Sequence, residues 1–321
     1  MIIYSIIMTI EQKGGWYMLR DLNIVVIGGD ARYIEVIKQL STSVRNIWLV
    51  GFERKHFSQA NVHHTTLFHV DFSKTDAILL PVSGTSEDGK VELAPYAEEE
   101  LFIFDEHIAQ TPTHCTIYTG ISNFYLDVIT QKHERTLIRL FARDDLAIMN
   151  SIPTAEGALQ IAMEQTDRTI HGARVYVLGF GRVGMTVARL FQNVGARVSV
   201  SARKPSHRAR IMEMGLHPVT LEDMKKEVAN TDICINTIPQ QIITTDILSS
   251  FHPSSLIIDL ASQPGGVDFT YAAKKGIQTI HALGLPGKVA PHSAGQFIVD
   301  TLIPLLKEHL PHNHPKIYDE A

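Results

Sequence analysis

At 321 residues, with 45% hydrophobic and 20% charged side chains, the chain has the balance of a globular protein with room for two cores. A formal net charge of −5 and the lack of any long Lys/Arg run argue against a nucleic-acid surface. Two cysteines, Cys115 and Cys234, stand far apart and outside any C-x-x-C spacing, which argues against a disulfide framework or a zinc site and points to a reducing cytoplasm.

Taken from the start, the apolar run Met1–Ile10 is too short to span a bilayer and has no cationic lead, so neither a membrane anchor nor a signal peptide is expected. Residues 1–17 are expected to be a disordered extension, with the first domain running from Met18 to residue 152. Its opening pattern is strand, glycine turn, helix: Asn23–Ile27, then Gly28-Gly29-Asp30-Ala31-Arg32, then Tyr33–Leu40. Apolar runs at 46–50, 76–82, 101–104 and 115–119, separated by helical or loop stretches, read as further strands of an open parallel sheet. In such sheets ligands meet the carboxyl ends of the strands, so the loop Ser83–Lys90 should border a substrate. Arg32 suits a bidentate carboxylate, or else pairs with Asp30. Pro153, with Ser151 ahead of it, marks the expected start of a crossing helix and of a second domain, 153–290. Residues 291–321 should be a helix returning to the first domain, followed by a frayed tail from Pro311.

Within the second domain, Arg174–Leu178 runs into Gly179-Phe180-Gly181-Arg182-Val183-Gly184 and an amphipathic helix, the G-x-G-x-x-G pattern of a dinucleotide site. One glycine makes the turn, one admits a diphosphate to the backbone, one lets helix press on strand, and the helix N-terminus supplies N–H groups and partial positive charge. The next strand, Arg197–Val200, ends at Ser201-Ala202-Arg203-Lys204, where an NAD-selecting acid would stand. Guanidinium and ammonium groups there suit a 2′-phosphate and so NADP, the plain alternative being solvated cations at a strand end. Thr237, Ile238 and Pro239 end the strand Ile233–Asn236 at the depth of a nicotinamide-side ribose. Asp259, Ala261 and Ser262 end Leu256–Asp259, and with Leu285 and Pro286 they are expected near the nicotinamide; Asp259 serves equally well as a cap for nearby N–H groups. A strand at Gln278–His281 follows. Lys288 suits a substrate carboxylate or the nicotinamide carboxamide, and His292 has the chemistry of a general acid or base. The remaining histidines show no metal-ligand spacing, and no metal is expected.

Jointly, Ile24–Arg32, Pro153–Gly157, Leu178–Gly184, Ser201–Arg203, Asn236–Pro239, Asp259–Ser262 and Ala282–Pro291 resemble the A subunits of bacterial dipicolinate synthases. The resemblance implies an α/β fold of two doubly wound parallel-sheet domains, a flavodoxin-like N-terminal domain and a Rossmann NAD(P)-binding domain. It also implies NADP-dependent oxidation of dihydrodipicolinate to dipicolinate in the mother cell of a sporulating bacterium, beside a smaller flavoprotein-like B subunit. Loss of a hydride and a proton from the cyclic dicarboxylate yields an aromatic pyridine and supplies the driving force. Arg32 and Lys288 are expected on the two carboxylates and His292 on the proton, by placement alone. The dehydrogenase shape further suggests a homo-oligomer. Two other readings stand beside this one. One is a non-catalytic NADP-binding scaffold for the flavoprotein; the other is a D-2-hydroxyacid dehydrogenase, whose Pro-His-x-Ala-Gly segment is matched by Pro291–Gly295 but whose catalytic arginine is missing at Asp259–Ser262.

Overall fold

A computed structural model describes residues 18–93 and 96–310; the expected extension, 1–17, and the expected tail, 311–321, lie outside the described residues. The chain divides into two compact units, one comprising the chain up to Leu146 and from Gly295 onward, the other Ala147–Ala294.

Among the described residues the first unit holds eight strands: β1 (Asn23–Ile27), β2 (Asn46–Val50), β3 (Val62–His64), β4 (Ala77–Leu79), β5 (Lys90–Val91), β6 (Leu101–Phe102), β7 (Thr116–Thr119) and β8 (Thr136–Arg139). Six of them make one parallel sheet in the order β3-β2-β1-β4-β7-β8. The central strands are continuous apolar runs because helices cover both faces of the sheet. Ile24 and Val26 of β1 face one layer of core; Val25 and Ile27 face the other. The helix Arg32–Ser41 fills the first layer with Tyr33, Val36, Ile37 and Leu40, and the part of the helix Pro291–Glu308 from Gly295 adds Ile298, Val299, Leu302 and Leu305 to the same core. Gly295 is required there: a Cβ would lie 2.5 Å from the Arg32 carbonyl oxygen. The run expected as a strand at 101–104 forms only β6, paired antiparallel with β5 outside the main sheet. β3 and β8, both short, were not expected from the pattern of apolar runs.

In the second unit, β9 (Arg174–Leu178), β10 (Arg197–Ser201), β11 (His217–Val219), β12 (Ile233–Asn236), β13 (Leu256–Asp259) and β14 (Gln278–His281) form a parallel sheet in the order β11-β10-β9-β12-β13-β14. This is the doubly wound order, with progression reversing between β9 and β12. The helix Arg182–Asn193 buries Val187, Ala188 and Phe191 against β9 and β10. β11 carries no strand signal of its own, because it is three residues long and contains Pro218.

The crossing helix corrects the expectation at Pro153. It spans Asp144–Gln165 with Pro153 inside it, and the units part at Leu146/Ala147 rather than at 152/153. Proline forfeits one helical hydrogen bond. Here the hydroxyls of Ser151 and Thr154 bond the carbonyls of Ile148 at 2.6 Å and Asn150 at 2.8 Å, while Ala155, Ala158 and Ala162 are wholly buried, so packing holds the helix through the break. Likewise the returning helix starts at Pro291, after a short helix Leu285–Val289, and the units part at Ala294/Gly295 rather than at 290/291. Among the described residues no helix is long and apolar enough to cross a membrane.

Candidate functional site

At the carboxyl end of β9 the three glycines differ in what they permit. Gly179 has φ +99°, and a Cβ on it would lie 2.5 Å from Thr237 Oγ1. Gly184 presses its helix onto the turn, since a Cβ would sit 2.2 Å from the Gly179 carbonyl oxygen. Gly181 caps the helix Arg182–Asn193 in extended conformation, and a Cβ there would meet nothing within 4 Å. Open space over Gly181, at a helix start whose first N–H groups lack helical partners, is the cradle that a diphosphate fills.

That space belongs to a cleft of about 440 Å³ lined by Gly179, Phe180, Gly181, Arg182, Val183, Ser201, Arg203, Lys204, Thr237, Ile238 and Pro239. It thus gathers the glycine turn, the end of β10 and the end of β12. Sequence reasoning missed Ala202, His207, Leu221, Gln240 and Ile242, which also line it. His207, on the helix Pro205–Glu213, sets its ring edge-on to Phe180 with centroids 5.9 Å apart. Its signal lay in Pro205, which starts a helix directly after Arg203 and Lys204 and so carries the next turn of side chains to the same cleft. Leu221 had no such signal, because it follows β11.

At the end of β10, Ser201 is buried and its hydroxyl bonds that of Tyr176, whose own pKa is pushed far up by burial. Arg203 and Lys204 are exposed, and among the described residues neither forms an ion pair. Arg208 bonds the Arg203 carbonyl at 2.8 Å and so pins the loop that carries both cations.

The end of β12 is shaped by a buried network. Asn236 donates to the Ile238 carbonyl at 3.0 Å and accepts from the Ile238 N–H at 3.1 Å, curling Thr237–Pro239 toward the cleft. Thr237 Oγ1 donates to the Leu178 carbonyl at 2.8 Å, locking that curl to β9. Asp259 completes the network in the second of its two expected parts, as a cap for nearby N–H groups: it is wholly buried, accepting at Oδ1 from Asn236 at 2.8 Å and Ala261 N–H at 3.0 Å, and at Oδ2 from Gly266 N–H at 2.6 Å. It pins the loop after β13 and is not among the residues that line this cleft. The other expected nicotinamide contacts also lie off the cleft lining. Ala261 is buried with its carbonyl bonded to His281, Ser262 is exposed, and Leu285 packs in the core over Gly157, whose added Cβ would be 3.1 Å away; Pro286 is buried beside it.

Of the expected substrate residues, Lys288 is exposed on its short helix and His292 is exposed in the first turn of the next. Arg32 belongs to the first unit and is buried, its Nε 2.9 and 3.0 Å from the Asp30 carboxylate oxygens and its Nη2 2.6 Å from Oδ2. The pairing with Asp30 therefore exists, and it occupies one edge of the guanidinium while leaving Nη1 to other acceptors. Cys115 and Cys234 are buried, and burial pushes the Cys115 thiol up to about 12, so neither is a thiolate at neutral pH. No group of three His, Cys, Asp or Glu side chains among the described residues is placed to hold a metal ion.

Comparison with known proteins fits this geometry. Residues 23–141 match the family model of the N-terminal domain of the dipicolinate synthase A subunit, and residues 151–320 match the alanine dehydrogenase/PNT C-terminal domain. A Bacillus subtilis protein named as the A subunit of dipicolinate synthase is 48% identical over 291 residues, covering 91% of this chain and 98% of the relative. The crystal structure of the dipicolinate synthase A subunit from Bacillus halodurans superposes with TM-score 0.87 at 48% identity, over 90% of this chain and 99% of that one. A transhydrogenase from Sinorhizobium meliloti, 17% identical with TM-score 0.64 over 89% of this chain and 93% of its own, shares the fold. The second unit is accordingly a Rossmann-type domain of the dehydrogenase class, and the whole chain belongs to the family of dipicolinate synthase A subunits.

Proposed function

We propose that the chain oxidises dihydrodipicolinate to dipicolinate, pyridine-2,6-dicarboxylate, with NADP⁺ as acceptor, in the mother-cell cytoplasm during sporulation. The observation that carries the reading is the cleft whose floor is the glycine turn and whose β10 end holds Arg203 and Lys204 with no carboxylate between them. In this reading the first unit binds the substrate and the second the cofactor, a flavoprotein-like B subunit is the partner, and the chain self-associates.

The residues divide the labour as follows. Gly179–Val183 hold the diphosphate through backbone N–H groups and the helix terminus. Arg203 and Lys204 take the 2′-phosphate, and Thr237–Pro239 support the nicotinamide-side ribose. When bound, the nicotinamide supplies a two-electron hydride acceptor. Arg32 and Lys288 anchor the two substrate carboxylates and so orient the ring, while His292 accepts the proton released as the ring becomes aromatic. Asp259 is committed to its buried network, whereas His292 brings an imidazole, whose ring nitrogen can accept a proton.

The test is direct. Purified chain mixed with NADP⁺ and enzymatically generated dihydrodipicolinate should accumulate both reduced nicotinamide and pyridine absorbance. Turnover that appears only after a flavoprotein partner is added would reduce the chain to a cofactor-binding scaffold, and turnover of 2-hydroxy acids instead would replace the substrate.

A further inference from the structure

In the first unit the sheet order β3-β2-β1-β4-β7-β8 reverses its progression between β1 and β4. Open parallel sheets bind ligands outside the carboxyl ends of their strands at such points. Three segments converge there. β1 runs into Gly28–Arg32, β4 into Leu80–Thr85 and β7 into Gly120–Asn123. The first two touch: a Cβ on Gly28 would lie 3.3 Å from Pro81 Cγ, and Tyr33, next to Arg32, donates its hydroxyl to the Leu80 carbonyl at 2.5 Å. The second and third are laced together, since Ile121 N–H donates to the Val82 carbonyl at 2.9 Å and Thr119 Oγ1 to the Pro81 carbonyl at 3.1 Å.

The loop after β4 is held tightly. Gly84, at φ +71°, closes a turn onto the Pro81 carbonyl at 3.0 Å, with its α-carbon so near Ile121 that a Cβ would lie 2.6 Å from that carbonyl oxygen. Asn123 Nδ2 donates to the Thr85 carbonyl at 2.7 Å. Two hydroxyls of this same loop, Ser83 Oγ and Thr85 Oγ1, are buried without a hydrogen-bond partner among the described residues, and Thr85 is only 8% exposed. Buried hydroxyls are normally satisfied, and leaving two unmatched in so constrained a turn is costly unless a ligand completes them. Both can donate, whereas the adjoining βα turn contributes Arg32, whose Nε and Nη2 are taken by Asp30 and whose Nη1 has no hydrogen-bond partner among the described residues.

We propose that Ser83 and Thr85, with Arg32, form a carboxylate-binding site at the switch point of the first unit, taking one carboxylate of a small planar dicarboxylate. Two hydroxyl donors aim the carboxylate oxygens, and the guanidinium, already turned by Asp30, supplies the charge. This inference rests on the reading of the chain as a dihydrodipicolinate dehydrogenase, and it assigns that reaction two positioning residues outside the expected set.

Calorimetric titration of the full chain with pyridine-2,6-dicarboxylate tests it, alongside Ser83→Ala, Thr85→Val and Thr85→Ser. The first two variants should each weaken the dicarboxylate roughly tenfold, Thr85→Ser should bind as the parent does, and all should keep the parent's far-ultraviolet circular dichroism and unfold at its midpoint, which certifies that the first unit is folded. Equal dicarboxylate affinity in Thr85→Val, Ser83→Ala and the parent overturns the site. If the parent then still oxidises dihydrodipicolinate, and the variants share its KM, only this carboxylate site falls. A parent that neither binds the dicarboxylate nor turns over dihydrodipicolinate removes both the site and the functional reading beneath it.

Discussion

Gly181 and Gly184 stand three residues apart in one turn, yet the structure assigns them opposite consequences on substitution by alanine. At Gly184 the new methyl would sit 2.2 Å from the Gly179 carbonyl oxygen and 2.9 Å from its carbon, both backbone atoms, so the helix Arg182–Asn193 must back away from β9. Overpacking of this kind costs about 1–3 kcal/mol, and the gain of up to about 1 kcal/mol from placing alanine in a helix offsets only part of it. At Gly181 the methyl meets nothing within 4 Å, and φ −92° is open to any residue, so folding loses no more than about 0.5 kcal/mol from a poorer helix cap. The same methyl projects into the space assigned to the diphosphate. Gly181→Ala should therefore melt with the parent in differential scanning calorimetry but lose at least tenfold in NADP⁺ affinity by fluorescence titration, whereas Gly184→Ala should melt several degrees lower. Parental NADP⁺ affinity in Gly181→Ala, or an equal loss of thermal stability in both variants, would refute the reasoning.

Removing both cations at the end of β10, with Arg203→Ala and Lys204→Ala, should weaken NADP⁺ and leave NAD⁺ unaffected. Because both side chains are exposed, the expected loss is about 1–2 kcal/mol, or roughly 5- to 30-fold, shrinking at high salt; equal losses for the two coenzymes would count against a 2′-phosphate site. Asp259→Asn should destabilise the second unit by about 2–4 kcal/mol in urea unfolding, because whichever way the amide turns its NH₂ faces a donor, Gly266 N–H on one side or Asn236 and Ala261 on the other. A change in unfolding midpoint within error would show that the carboxylate is not the pin of its loop. Acid titration should single out Asp232, whose carboxyl the Arg174 guanidinium holds below the usual carboxylate range at 2.9 and 3.1 Å. Its contribution is complete above the ordinary aspartate pKa and is lost as pH falls through the lower folded-state value. The stability gap between the parent and Asp232→Asn should accordingly be constant near neutrality and close in acid; a gap that widens in acid would reverse the sign and defeat the assignment.

Local order explains what was legible in the sequence. The strand, turn and helix from Arg174 to Asn193 depend on glycines at fixed spacing and on contacts within twenty residues, and so do Asn23–Ile27 and its helix. The central strands of both sheets show as apolar runs because each is covered on both faces. Strands β3, β8 and β11 are edge strands of three or four residues, and nothing in their own composition distinguishes them from loop until a neighbour supplies hydrogen bonds. Pro153 reads locally as a helix start, but the burial of the alanines on its C-terminal side outweighs the bond it forfeits.

Composition and spacing alone thus determined that the chain is a pair of α/β domains, that the second opens on a dinucleotide turn, and that cations stand where an acid would select NAD. Such features need only the identity and order of residues a few positions apart. Which polar groups face a ligand was decided by tertiary structure, because satisfaction of a buried group depends on partners far along the chain. Asp259 is used up by Asn236 and Gly266, Arg32 gives one edge to Asp30, and within the loop Ser83–Lys90, which the sequence marked only as a whole, the hydroxyls of Ser83 and Thr85 are buried without a hydrogen-bond partner among the described residues.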